Sequence, residues 1–160
     1  MNELVVAFTV YGQPQQRGSK TPWIPRRKDG SMVTKDGRPV IATMDSNKNS
    51  KAWMAAISAA AGEHYQGMPL IEGPVIFTAR FYFHRPKSHF GTGKNTGVLK
   101  STAPLHHTQT PDLAKLIRCA EDGITKVIWA DDKQVFQYGE STGKYWTSNA
   151  SRADFDIRLA

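Results

Sequence analysis

The stretch from Pro74 to His84, PVIFTARFYFH, constrains the fold more than any other part of the chain. Val75, Phe77, Ala79, Phe81 and Phe83 recur at every second position, the period at which a β-strand presents side chains to one face. So aromatic a face has to be covered, and two helical segments elsewhere supply the cover. From about Asn47 to Tyr65, after a capping Asp45 or Ser46, Ala52, Trp53, Ala56, Ile57, Ala60 and Ala61 recur at helical spacing. A second helix opens with Thr110 as a hydroxyl cap and Pro111 at its first position. Its Leu113, Leu116, Ile117, Ala120 and Ile124 form one apolar stripe.

Three further strands complete the pattern. Leu4–Tyr11 is β-branched and aromatic, residues 134–140 carry Val135, Phe136 and Tyr138, and Ala153–Leu159 alternates with Phe155, Ile157 and Leu159 facing inward. Strands and helices follow one another without regular alternation, which predicts an α+β fold: a small mixed β-sheet packed against two main α-helices. The 160 residues read as a single domain, 1–160, large enough for a sizeable core.

Two segments break the periodicity. Residues 17–38 form a basic loop or arm, in which Arg17, Lys20, Arg26, Arg27, Lys28, Lys35 and Arg38 outnumber Asp29 and Asp36. Such an arm suits a phosphate backbone, with Trp23 free to stack or pack. Residues 85–110 form a long glycine- and proline-punctuated loop with Arg85, Lys87, Lys94 and Lys100. Its adjacent His106 and His107 do not converge on one ion easily and read as part of a solvated loop.

Lys and Arg number 21 against 14 Asp and Glu, a net +7, which favours a polyanionic partner, nucleic acid above all. No apolar run approaches the length of a membrane span. MNELVVAFTV carries acid before its apolar run and reads as a first strand rather than a signal peptide. The single cysteine, Cys119, forms no intrachain disulfide, so a cytoplasmic protein is expected. No glycine-rich nucleotide loop or nucleophile–base set supports a small-molecule enzyme.

Within this basic chain, acids gather around the second helix: Asp112 in its first turn, and the pair Asp131-Asp132 where a connection enters the next strand. Carboxylate oxygens suit hard divalent cations, which keep waters and add substrate phosphates. Such a cation polarises a phosphodiester and activates water. Ala114 and Arg118 share the flank beside the buried stripe, one turn apart.

The ordered set Asp112-Leu113-Ala114-Lys115-Leu116, Arg118, Asp122-Gly123-Ile124 and Asp131-Asp132-Lys133-Gln134-Val135 resembles the RusA family of Holliday-junction resolvases. FTVYGQPQQRGSK, the Trp53 helix and HRPKSHFGTG extend the resemblance over most of the chain, toward the phage and prophage branch. The resemblance implies a homodimeric endodeoxyribonuclease, dependent on Mg²⁺ with Mn²⁺ as a substitute, that nicks four-way DNA junctions symmetrically in a bacterial cytoplasm. Asp112 and Asp132 would bind metal, with Asp131 beside them. Arg118 matches a basic catalytic position that is usually lysine, and its planar fork suits phosphate positioning. Expected DNA contacts are Arg17, Lys20, Arg26, Arg27, Lys28, Lys87, Lys115 and Lys144. Two symmetric nicks require two sites related by a two-fold axis.

Ala114 departs from the family pattern, which has a second aspartate there. It reads as a deliberate replacement giving a nuclease that binds without cutting; a naturally inactive junction-binding paralogue is the alternative. Either way the chain should be strongly impaired in cleavage. The missing negative charge also lies near bound phosphate. Gel-shift titration in EDTA should therefore show this chain binding DNA as tightly as, or more tightly than, Ala114→Asp; markedly weaker binding would contradict the reading.

Overall fold

In the computed structural model, which describes residues 2–160, the central strand of the main sheet is β6, Val75–His84. With β1 (Leu4–Tyr11) and β9 (Arg152–Leu159) it forms an antiparallel set in the order β1-β9-β6. The other edge of β6 is shared. β7 (Val135–Tyr138) runs parallel to its first half and β8 (Gly143–Thr147) parallel to its second. Residues 139–142 jog between them, with Gly139 N donating to Phe77 O at 3.0 Å. The sheet is mixed and five-stranded.

Strand register builds the core. Phe155 of β9 stands between Phe8 of β1 and Ala79 of β6, and Ile157 stands opposite Phe77. The ring of Phe155 lies 5.3 Å from Phe8, 5.8 Å from Phe77 and 6.0 Å from Phe81. Fully burying a side chain of this size contributes about 1.5–3 kcal/mol. Val75, Phe77, Ala79, Phe81 and Phe83 are all buried, as their alternation predicts, and Ile76 and Thr78 on the opposite face are buried too.

The helices α1 (Ser50–His64) and α2 (Leu113–Ile124) cover the sheet. α1 buries Trp53, Ile57 and Ala61, while Ala52 and Ala56 of the expected stripe face solvent. α2 buries Leu116, Ile117, Cys119, Ala120, Gly123 and Ile124. Where the helices cross, a Cβ on Gly123 would meet Met54 O at 3.0 Å and Ile57 Cβ at 3.1 Å. Glycine is what lets the backbones approach so closely.

Several expectations are corrected. α2 starts at Leu113, not at Pro111: Asp112 takes the cap position, and Lys144 Nζ holds Pro111 O at 2.8 Å, outside the helix. Thr110 therefore caps nothing. Leu159 lies at the strand end and is exposed, unlike Phe155 and Ile157. Residues 85–110 are not simply solvated. They contain short helical turns at Lys87–His89 and Gly93–Asn95 and fold back on the sheet. His107 is buried between Phe83 and Trp146, at 4.3 and 4.2 Å, and His89 packs edge-on to Trp146 at 4.9 Å.

The basic arm is longer than its charge run. β2 (Lys20–Trp23) pairs with β5 (Ala42–Asp45), and beyond them β3 (Thr34–Lys35) pairs with β4 (Arg38–Pro39). The tight turn between β3 and β4 places Asp36 and Gly37 at φ 50° and 75°, the left-handed geometry of two-residue hairpin loops.

Candidate active site

The arm is fastened to the body at its base by one acid. Asp45 Oδ1 accepts from Gly18 N and Asn47 N, both at 2.8 Å, and Oδ2 accepts from Ser50 Oγ at 3.1 Å. Arg17 Nη1 lies 3.2 Å from the same carboxylate, while Arg17 Nε reaches Asp122 of α2 at 2.9 Å. Arg17 N also donates to Lys115 O at 3.1 Å. Burial pushes the Asp45 carboxyl up, but the Asn47 and Gly18 amides, the Ser50 hydroxyl and Arg17 outweigh it and hold it below its ordinary value. Arg17 thus clasps the arm to α2.

The residues of this clasp line a cleft of about 1150 Å³. Lys20, Lys48, Lys51, Lys115 and Arg118 supply its cations, and Asp122 and Asp132 its exposed acids. Lys20 comes from the arm, Lys48 from just before α1 and Lys51 from its first turn, and Lys115 and Arg118 from α2. The fold thus draws positive charge from three segments onto one concave surface.

The acid pair is delivered by a short rigid connection after α2. Trp129 is fully buried, edge-on to Phe77 at 5.3 Å, with its Nε1 donating to Thr125 Oγ1 at 2.9 Å. Ala130 N then donates to Ile71 O at 3.2 Å. Asp131 caps the following helical turn: its Oδ1 accepts from Lys133 N at 3.0 Å, and Gln134 Oε1 accepts from Asp131 N at 2.8 Å. Gln134 Nε2 in turn donates to Ile71 O and Gly73 O. The Lys133 amide holds the Asp131 carboxyl below its ordinary value. Asp131 is committed to this turn, whereas Asp132 faces the cleft.

Two residues that sequence reasoning passed over join Asp132. Glu121 Oε1 accepts from Tyr138 Oη at 2.7 Å. Burial raises the Glu121 carboxyl above its ordinary value, against the Tyr138 bond, with Asp132 and Asp122 adding repulsion. Burial and the Glu121 contact push the Tyr138 hydroxyl up to about 12. Glu121 follows Ala114 and Arg118 at i+7 and i+3 along one flank, a spacing readable from sequence.

The remaining candidates divide. Lys20, Lys115 and Arg118 line the cleft beside Asp132. Ala114 is exposed, one turn before Arg118. Asp112 stands outside the cleft lining, at the head of α2, its N–H donating to Gln16 Oε1 at 2.6 Å and its carboxylate 3.4 Å from Lys115 Nζ. Lys144 Nζ donates to Gln109 O and Pro111 O, tying the long loop to the start of α2; burial lowers its pKa, against the pull of Asp112. Arg26, Arg27 and Lys28 sit at the far end of the arm, and Lys87 lies in the long loop; none of these lines the cleft. Among the described residues, no three His, Cys, Asp or Glu side chains converge as a metal ligand set. Ala114 presents only a methyl group on this flank of α2 and supplies no donor to a cation.

A cationic cleft with exposed carboxylates and an arginine is chemically suited to a phosphodiester backbone. The chain belongs to the RusA endodeoxyribonuclease family, whose sequence model matches residues 22–158. It is also 27% identical over 130 residues to the Bacillus subtilis (strain 168) protein described as "Uncharacterized protein YqaN", an alignment covering 81% of each chain.

The clasp yields a stability prediction. Asp45→Ala leaves several donors in a part-buried site without their acceptor and should lower unfolding free energy by about 2 kcal/mol at pH 7. Because the folded carboxyl is held below its unfolded value, its ionic contribution is complete above the unfolded pKa and is lost as pH falls through the folded one. Urea unfolding should therefore show the gap between parent and variant narrowing below about pH 4. A gap that stays constant into acid would contradict this assignment.

Proposed function

We propose that the chain is a homodimeric binder of four-way DNA junctions, built on a nuclease site that Ala114 has disabled. The observation that carries this reading is the cleft itself: Arg118 and Asp132 share it with cations from the arm and both helices. The flank of α2 that bears Arg118 has alanine one turn earlier. Membership of an endodeoxyribonuclease family supports DNA as the ligand.

In this reading Lys20, Lys48, Lys51 and Lys115 bind the phosphate backbone and bring it past Arg118. The Arg118 fork orients the scissile phosphate through paired N–H donors. Asp132 faces that phosphate from the connection before β7, and Asp112, at the head of α2 just outside the cleft lining, would turn from Lys115 to join it. With a carboxylate at position 114, Asp112, Asp132 and that side chain would hold Mg²⁺, or Mn²⁺ in its place, which would supply a Lewis acid for the scissile phosphate. As the chain stands, binding survives and cleavage is strongly impaired. A two-fold dimer presents two such clefts to a junction of matching symmetry. In this reading the protein acts in the cytoplasm of a bacterial host, as a phage or prophage product.

A purely non-catalytic DNA binder is the second reading, favoured by the incomplete ligand set. Forks, flaps or packaging intermediates are the other nuclease substrates. Competition gel shifts with a labelled four-way junction test the substrate directly. Unlabelled junction should displace the label at least about tenfold more effectively than a fork or a linear duplex of equal length, the least that counts as structural specificity over backbone binding. Equal competition by all three DNAs would remove the junction assignment.

A further inference from the structure

The arm carries exposed apolar surface, of which Met44 alone lines the cleft. Trp23 is 50% exposed and Met44 62% exposed, and Ile24, Met32 and Ile41 also face solvent. In the β2–β5 ladder Thr21 lies opposite Met44, and Trp23 opposite Ala42. Opposite residues and alternate residues share a face, so Trp23 and Met44 are diagonal neighbours on one side of the ribbon. Met44 is at the lip of the cleft that holds Arg118 and Asp132, and Trp23 continues the same face outward. β2 and β5 make no extensive contact with the main sheet or helices among the described residues. The ribbon's place depends on the Arg17–Asp45–Asp122 clasp at its base.

We infer that Trp23 and Met44 form a stacking platform for unstacked bases at the branch point of the DNA, a specificity-determining element added to the cationic cleft. This rests on the proposed junction-binding function. An exposed indole offers a flat face to a base, and a thioether beside it is polarisable and adaptable. In an intact duplex the base faces are covered by their neighbours, so this surface gains little from linear DNA. At a branch point they become accessible, and the surrounding cations hold the flanking phosphates. Charge decides the occupant. Lys20, Arg26, Arg27, Lys28, Lys35 and Arg38 lie on the same arm as the apolar residues, so a second copy of the arm would meet like charge, whereas DNA complements it.

The test uses this chain in EDTA with an immobile four-way junction carrying 2-aminopurine either at the branch point or within one arm. The parent is expected to change emission only at the branch point and to prefer the junction over a linear duplex of equal length. Trp23→Ala should lose that emission change and roughly tenfold of junction affinity, the order of one base-stacking contact. Its duplex affinity should stay within about twofold, because phosphate contacts supply sequence- and structure-independent binding. Trp23→Phe should recover most of the loss, and Met44→Ala should show a smaller loss in the same direction.

Unchanged junction affinity and emission in both Trp23→Ala and Met44→Ala would overturn the inference while leaving junction binding intact. Equal losses for junction and duplex would overturn it in favour of a structural role for the indole. A shift of Trp23→Ala from dimer to monomer in sedimentation would overturn it in favour of a subunit contact. A parent with no preference for the junction would remove the proposed function and this inference together.

Discussion

A single guanidinium decides how the basic part of this chain meets the acidic part. Arg17 lies between Asp45, at the root of the arm, and Asp122, on the exposed side of α2. Isolated ion pairs on a surface contribute little, but this one is part of a network. The side chains of Arg17 and Asp45 are only 26% and 15% exposed, and Asp45 also accepts from two amides and a hydroxyl. Without the clasp, a two-stranded ribbon of this size has little to hold it against the body. With it, Lys20 and Met44 of the arm line the same cleft as Arg118 and Asp132.

The other wall follows from packing. The aromatic face of β6 and β9 supports α1 and α2, and Gly123 allows those helices to cross at close range. Trp129 is buried against Phe77 just beyond the end of α2, so the connection carrying Asp131 and Asp132 leaves the core at a fixed point. The two neighbouring acids then take different work. Asp131 caps a turn and Asp132 is presented to the cleft. Sequence adjacency conceals that division, because it depends on which carboxylate meets the Lys133 amide.

Much of this was legible beforehand for a local reason. β6 shows its period within a few residues, and the apolar stripe of α2 lies in a single segment, so the α+β class and the helix-covered sheet could be read directly. The ordered acidic set likewise pointed to the family. What escaped was long-range. Arg17 looked like one more phosphate contact, since the carboxylates that engage it come from distant parts of the chain. The Glu121–Tyr138 contact joins two elements across the turn that carries Asp132. His107 looked solvated because its neighbours in sequence are polar; Phe83 and Trp146, which enclose it, belong to separate strands. The late start of α2 was hidden likewise, since Lys144 of β8 holds the Pro111 carbonyl.

The account turns on position 114. Arg118, Asp132 and the cationic walls share one cleft, and the proposed function takes Ala114 to stand where a carboxylate would complete the site. The measurement that tests this most directly is cleavage of a labelled mobile four-way junction by this chain and by Ala114→Asp, each with Mg²⁺ and with Mn²⁺. Paired symmetric nicks by the aspartate form alone, with a rate advantage on the order of a hundredfold or more over the alanine form, are the predicted result. Binding by both forms with cutting by neither would contradict the account and leave the acids around α2 with a structural role only.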